Sequence, residues 1–185
     1  VIDPFRRVAA TAEEVSASRP GDQLVDPATV VMDRGFDLAH PPAAVWPWLV
    51  QLGKRRAGWY LPRPVERLVP RGRRALRHVD PRWQGLAVGD VIPDYGGRDA
   101  TFEVAELVPA SHLVHTSRRG GTSVSWTLHL SPYDGGRSTR VHLRLRLGPV
   151  RHVRVAETVG GAFDALTILG LAAGLAERLD EGVDR

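Results

Sequence analysis

PPAAVWPWLVQLGKRRAGWY, residues 41–60, carries three of the chain's five tryptophans and decides how the rest is read. As a helix it starts after His40, with Pro42 in the first turn, where a missing N–H costs nothing. At 100° per residue Trp48, Leu52, Val45, Leu49, Trp46 and Val50 spread over half of the cylinder or more, which requires more than one packing neighbour. Gln51, Ala44 and Pro47 take the remainder. Pro47 forfeits the bond to the Ala43 carbonyl, so a slight bend is predicted. Gly53 and the run Lys54-Arg55-Arg56 suit a helix C-terminus, by backbone freedom and by the helix dipole respectively. Gly58-Trp59-Tyr60 then returns two aromatics toward the body of the protein. Core filling is the simplest role for all these rings.

Upstream, Val30 to Ala39 alternates as a strand, with Val30, Met32, Arg34, Phe36 and Leu38 inward and Arg34 the misfit. Residues 1–28 read as an arm, wrapped or frayed. Within it 1–19 place Phe5, Val8, Ala12 and Val15 at helical spacing, and Arg19-Pro20-Gly21-Asp22 and Asp26-Pro27 break the pattern. Downstream, residues 61–88 are irregular, with a short helix predicted over Pro64–Val69. Arg71, Arg73, Arg74, Arg77 and His78 fall in a loop long enough to be a lid, pinned by Trp83 and Leu86.

From Val88 the text changes to strands and turns. Strands are predicted over Val91–Tyr95, Thr101–Val108, His112–Ser117, Ser123–Leu130 and Arg140–Leu147, with hairpin glycines at Gly96-Gly97 and Gly135-Gly136. In the last of them Val141, Leu143, Leu145 and Leu147 face one way, and Arg140, His142, Arg144 and Arg146 face water. This predicts a curved antiparallel meander with one dry face. Ala156–Glu181 is predicted as one long helix, its inner stripe drawn through Val159, Phe163, Leu166, Leu169 or Gly170, Ala173 and Ala176. Its glycines, Gly160, Gly161, Gly170 and Gly174, cost about 1 kcal/mol each against alanine, so they mark close contact or space kept open beneath.

A length of 185 residues fits an arm, 1–28, and a single domain, 29–185. The absence of cysteine excludes disulfides, thiol catalysis and cysteine-ligated zinc. There is no HExxH, serine elbow or P-loop. The histidines are poorly placed for chelation: His112 and His115 point to opposite faces, and His129 and His142 are at most cross-strand neighbours on the wet face. No metal and no cofactor are expected. No secretory signal opens the chain, and the longest apolar run, Ala165–Ala176, is too short to span a bilayer, so a cytoplasmic protein without a membrane span is expected. A pI near 10.3 suggests nucleic acid, but Lys54 is the only lysine and the arginines are scattered from Arg6 to Arg185, as codon bias would leave them. Nucleic-acid binding is not expected, and oligomeric state is left open.

The order of elements resembles the helix-grip layout of the START-like (SRPBCC) superfamily, which includes plant pathogenesis-related allergens and polyketide cyclases. The local text agrees. Pro20-Gly21-Asp22-Gln23-Leu24-Val25 before Asp26-Pro27 is similar to the PGD-x-LV lead-in of one bacterial group. That group's APP-x-x-VWPWLVQ-x-G-x-x-R-x-GWY helix matches residues 40–60, with His40 where the group has alanine. Leu86–Pro93 resembles its L-x-VGD-x-IP entry, and Phe102–Leu107 its F-E-V-x-x-L strand. The group's continuation GWYSYDWLEN is here GWYLPRPVER, so no role is carried over for the missing serine, second tyrosine, acid and asparagine.

The resemblance implies an α+β helix-grip fold: a curved antiparallel β-sheet wrapped around a long C-terminal helix, with short helices after the first strand and a cavity between. The expected wall is Trp46, Trp59, Tyr95, Phe102, Trp126, Phe163, Leu166 and Gly170, suited to a hydrophobic, polyketide- or lipid-like small molecule. The alternative is a cyclase or dehydratase in the same cavity, with Tyr60 as donor and Asp94 or His115 as base. An interaction module with a filled core is a third possibility, using only the arginine face. Glu103 alternates away from Phe102 and is expected in solvent.

Overall fold

Six segments of alternating sequence pair into one antiparallel sheet in the computed structural model, which describes residues 4–183. The strands are β1 (Val30–Leu38), β2 (Val91–Pro93), β3 (Thr101–Val108), β4 (His112–Arg119), β5 (Thr122–Tyr133) and β6 (Ser138–Gly148), ordered β1-β6-β5-β4-β3-β2. The register sets Trp126 opposite both His115 and Leu145, and His129 opposite both His112 and His142. Each edge is short or partly covered. β2 has three residues and ends in Pro93, and Ala9 makes an isolated bridge to Arg34 on β1.

Helices α1 (Ala12–Ser16), α2 (Pro42–Gln51) and α3 (Arg63–Glu66) are short. At the C-terminal end a turn at Val153–Val155 leads through a π-helical turn, Ala156–Gly160, into the long helix Gly161–Val183. This is the helix-grip arrangement. The stretch Val153–Gly182 has the length and, at mean hydropathy 1.7 in its most apolar part, the composition of a bilayer-crossing helix. Here Ala165, Ile168, Leu171, Leu175 and Leu179 are buried, and the last four join Leu128, Val141 and Leu143 in the core.

That face corrects the sequence reading. Val159, Phe163 and Leu166 are 66%, 69% and 60% exposed. Two apolar stripes run along this helix, and the one that continues uninterrupted to Leu179 buries more surface against the sheet. Gly170 and Gly174 mark close contact. A Cβ on Gly174 would lie 2.5 Å from the Leu61 nitrogen and 2.6 Å from the Tyr60 carbonyl carbon, whereas one on Gly170 would meet only the Leu61 Cδ2 at 2.8 Å.

The segment after α2 is bound to this contact by Arg178. Its fully buried guanidinium donates to the carbonyls of Leu76, Leu61 and Gly174, pairs with Glu66 at 2.5 Å, and lies 4.8 Å from the centre of the Tyr60 ring. Arg77 binds Glu66, Glu177 and Glu181 beside it. The loop expected to be a lid is therefore anchored to the C-terminal half of the long helix.

The arm packs Val8 into the core beside the long helix and then crosses to the outer face of the sheet. It forms a 3-10 turn, Pro4–Val8, and then α1, instead of one helix. Residues 1–3 of the expected arm helix, and 184–185 of the expected domain, lie outside the described residues. Thr11 and Glu14 close a capping box, and Glu14 then binds Arg140 through both carboxylate oxygens at 2.8 Å. Arg144 and His142, expected in water, are buried beneath the arm. Arg144 donates to Asp33 and Asp22 and to the carbonyls of Glu14, Val15 and Ala17, and His142 Nε2 meets Asp33 Oδ1 at 2.9 Å.

Replacing Arg144 with leucine leaves the buried Asp33 carboxylate with His142 alone and removes a donor from three arm carbonyls. Chemical denaturation should show a loss of about 3–5 kcal/mol, and limited proteolysis should open the arm first. Gly174→Ala should cost about 3 kcal/mol because its clash is with backbone. Gly170→Ala should stay within about 1 kcal/mol of wild type, since helix propensity offsets a shift of one side chain.

Candidate functional site

Beneath the N-terminal half of the long helix the two layers separate, leaving a cavity of about 520 Å³. Its floor comes from β3, β5 and β6 through Phe102, Val124, Trp126, Leu145 and Leu147, and its roof from Phe163, Asp164, Thr167 and Ile168. Trp59 enters from the end of the 41–60 motif, and its indole N–H donates to the Thr167 carbonyl at 3.3 Å, tying that ring to the helix. Tyr95, Gly96 and Arg119 line the same space, and Tyr95 and Phe163 are largely exposed at its rim.

The rings pack as one group. Trp59 stacks on Trp126 with centroids 6.1 Å apart and planes at 26°, and meets Tyr95 edge-on at 6.4 Å. Phe102 lies 6.0 Å from Trp126 on its other side. Behind these rings is a second recess of about 30 Å³, room for a water molecule, lined in part by His115. His115 stacks on Trp126 at 5.5 Å with its Nδ1 buried and unpartnered.

Polar groups in the wall differ in how far they are satisfied. Asp94 accepts from the backbone N–H groups of Tyr95 at 2.7 Å and Gly96 at 3.1 Å and from the Arg119 guanidinium, while Lys54 donates to its carbonyl at 2.9 Å. These bonds shape the turn at Gly96-Gly97. Arg119 also lies 5.0 Å from the centre of the Phe102 ring. On the helix side, Arg34 Nε approaches Asp164 Oδ2 at 2.9 Å. Burial pushes the Asp164 carboxyl up, and the Arg34 charge opposes the shift.

Of the expected wall, Trp59, Tyr95, Phe102, Trp126 and Phe163 lie on the cavity. Trp46 packs between the two core clusters, Leu166 points to solvent, and Gly170 rests on Leu61. The three expected catalytic groups do not form one site: Asp94 and His115 both line the small recess, and Tyr60 lies apart from it. Tyr60 is wholly buried in the core, its hydroxyl donating to the Trp48 carbonyl at 2.8 Å and accepting from Gln51 at 3.1 Å, and burial drives its ionisation far upward. His115 lines only the small recess, and the Asp94 oxygens are engaged in the turn. Glu103 is exposed, as its alternation indicates. Sequence reasoning passed over Asp164 and Arg119. Asp164 could have been found from the stripe Ala165-Ile168-Leu171, which turns it toward the sheet; no sequence signal marks Arg119. Among the described residues no three His, Asp or Glu side chains converge as a metal site.

No protein-family model matches the chain, and no curated protein matches it. Solved structures share the fold. A protein from Nitrosomonas europaea is 17% identical at a TM-score of 0.52, covering 87% of this chain and all of its own. One from Thermobifida fusca is 22% identical at 0.50, covering 82% and 93%. DynU16, from the dynemicin biosynthetic locus, is 15% identical at 0.51, covering 82% of this chain and 48% of its own.

Two histidines make the fold sensitive to acid. Burial holds the His115 imidazole down to about 4 from an ordinary 6.5. His129 is likewise held to about 4 by burial, with Arg19, His142 and His112 adding repulsion. The unfolded chain protonates at these sites near pH 6.5 and the folded chain only near 4, so stability is full above pH 6.5 and is lost as pH falls toward 4. His115 alone accounts for about 2 kcal/mol at pH 5. Glu14, held to about 2 from 4.5, acts in a lower window, and the raised carboxyl of Asp164 works weakly in the opposite sense. The melting temperature should drop between pH 7.5 and pH 5, and His115→Phe should recover part of the drop. A flat profile over that range would sink the assignment.

Proposed function

We propose that the protein encloses a flat, hydrophobic small molecule of polyketide-like type between its sheet and its long helix. The carrying observation is the cavity of about 520 Å³, walled by Trp59, Phe102, Trp126 and Phe163, a size and lining in the range of small-molecule sites. Stacked rings favour planar ligands over long acyl chains, because a flat face gains dispersion and offset stacking along its whole length. The START-like resemblance of the motif at residues 41–60 supports the same reading.

Binding is better supported than catalysis. The groups expected to catalyse a cyclisation or dehydration are otherwise engaged: Tyr60 is bound in the core, His115 stands behind the aromatic rings, and the Asp94 oxygens are held in the turn. We take the protein as a soluble, cytoplasmic binding protein whose partner is the ligand itself.

Titration with N-phenyl-1-naphthylamine tests this directly. The dye should brighten saturably with micromolar affinity. Leu145→Trp, which narrows the cavity beside Trp126, should weaken it about tenfold or more, while Leu68→Trp, at a position 85% exposed and off the cavity wall, should leave it unchanged. Absence of saturable binding, or equal effects of the two variants, would contradict the proposal.

A further inference from the structure

Asp94 and Asp164 both line the cavity, and each stands beside an arginine. They differ in what remains open. The Asp94 oxygens receive two backbone N–H groups and the Arg119 guanidinium. Asp164 Oδ2 is buried against Arg34, whereas Oδ1 receives no hydrogen bond among the described residues. Arg34 Nε comes within 2.9 Å of Asp164 Oδ2, but off the N–H direction, so both atoms stay without a hydrogen bond. Arg34 cannot easily turn to improve this, because its other nitrogens donate to the Gly161 carbonyl at 2.8 Å and the Asp33 carbonyl at 3.0 Å. The result is a carboxylate with one oxygen buried against its counter-charge and the other, Oδ1, left open.

The Asp164 side chain is 17% exposed, and its companions in the wall include Leu145, Leu147, Phe163 and Ile168. Buried acceptors without donors are uncommon and costly, and a hydrogen bond formed in such surroundings gains strength from the low dielectric. We infer that Asp164, held in place by Arg34, accepts a hydrogen bond from a hydroxyl group on the aromatic ligand and so sets which end of the ligand faces the long helix. The inference rests on the cavity being a ligand site. A neutral hydroxyl fits better than a ligand carboxylate, which has no hydrogen to donate to this acceptor. It also fits better than an apolar ring edge, which leaves the acceptor empty. The cavity thus selects phenol-type molecules from among flat hydrophobic ones.

Quenching of tryptophan fluorescence by 2-naphthol, naphthalene and 2-naphthoate at neutral pH tests the selection. Wild type should hold 2-naphthol about tenfold more tightly than naphthalene, with 2-naphthoate weakest. In Asp164→Ala the ratio of 2-naphthol to naphthalene affinity should fall to about one. Asp164→Asn keeps the volume and a carbonyl acceptor, so it should retain part of the preference and lift the penalty on 2-naphthoate; this arm decides the matter if the alanine variant does not fold. Equal binding of 2-naphthol and naphthalene by wild type, or equal loss of both in the variants, overturns the role of Asp164. Failure of naphthalene itself to bind wild type removes the cavity reading beneath it, a distinct outcome.

Discussion

The buried guanidinium of Arg178 fixes the C-terminal half of the long helix against residues 60–76. Three carbonyls, the Glu66 carboxylate and the face of Tyr60 surround it, joining the C-terminal half of the helix to the segment that follows the 41–60 motif. An arginine so enclosed tolerates no loss of partners, because a buried charge without them costs several kcal/mol. Gly174 lets the Tyr60-Leu61 backbone approach closely enough for those bonds to form. With that half clamped, the other half spans the concave face without filling it. The cavity follows from a tight contact at one end of the helix.

Polar residues divide the same way across the sheet. On the outer face Arg140, Arg144 and Arg146 are bound by the acids and carbonyls of the arm, and hold it flat against β5 and β6. On the inner face Gln51 ties Tyr60 to the backbone of His78 and Asp80. These groups spend their hydrogen-bonding capacity on structure. On the cavity wall Asp164 and Arg119 each keep an atom outside this bonding.

Much of the fold was legible because period-two alternation in β3, β5 and β6 and the glycine-bounded turns are local signals. Phe102 and Trp126 were legible as wall residues because they are aromatics on sheet strands, and Trp59, Tyr95 and Phe163 because they are aromatics on the segments that border the space between sheet and helix. The phase of the long helix was not, since Val159-Phe163-Leu166 and Ala165-Ile168-Leu171 are both plausible apolar stripes and only the sheet chooses between them. Leu166 was misplaced and Asp164 overlooked for that one reason. Tyr60 was misread because its partner Arg178 is remote in sequence. The outer strand residues looked solvent-facing because nothing local says that an arm with the right acids will cover them.

The treatment of the two sheet edges has a bearing on assembly. An open strand edge is a template onto which another chain can add its own backbone, the usual first step toward uncontrolled polymerisation. Here β2 is three residues long and closes on Pro93, which has no N–H to offer, and the exposed side of β1 is interrupted by the bridge from Ala9. Recruitment through main-chain pairing is thereby discouraged at both ends of the sheet. Contacts with other molecules fall to side-chain surfaces, among them the mouth beside Tyr95 and Phe163, where both rings are exposed.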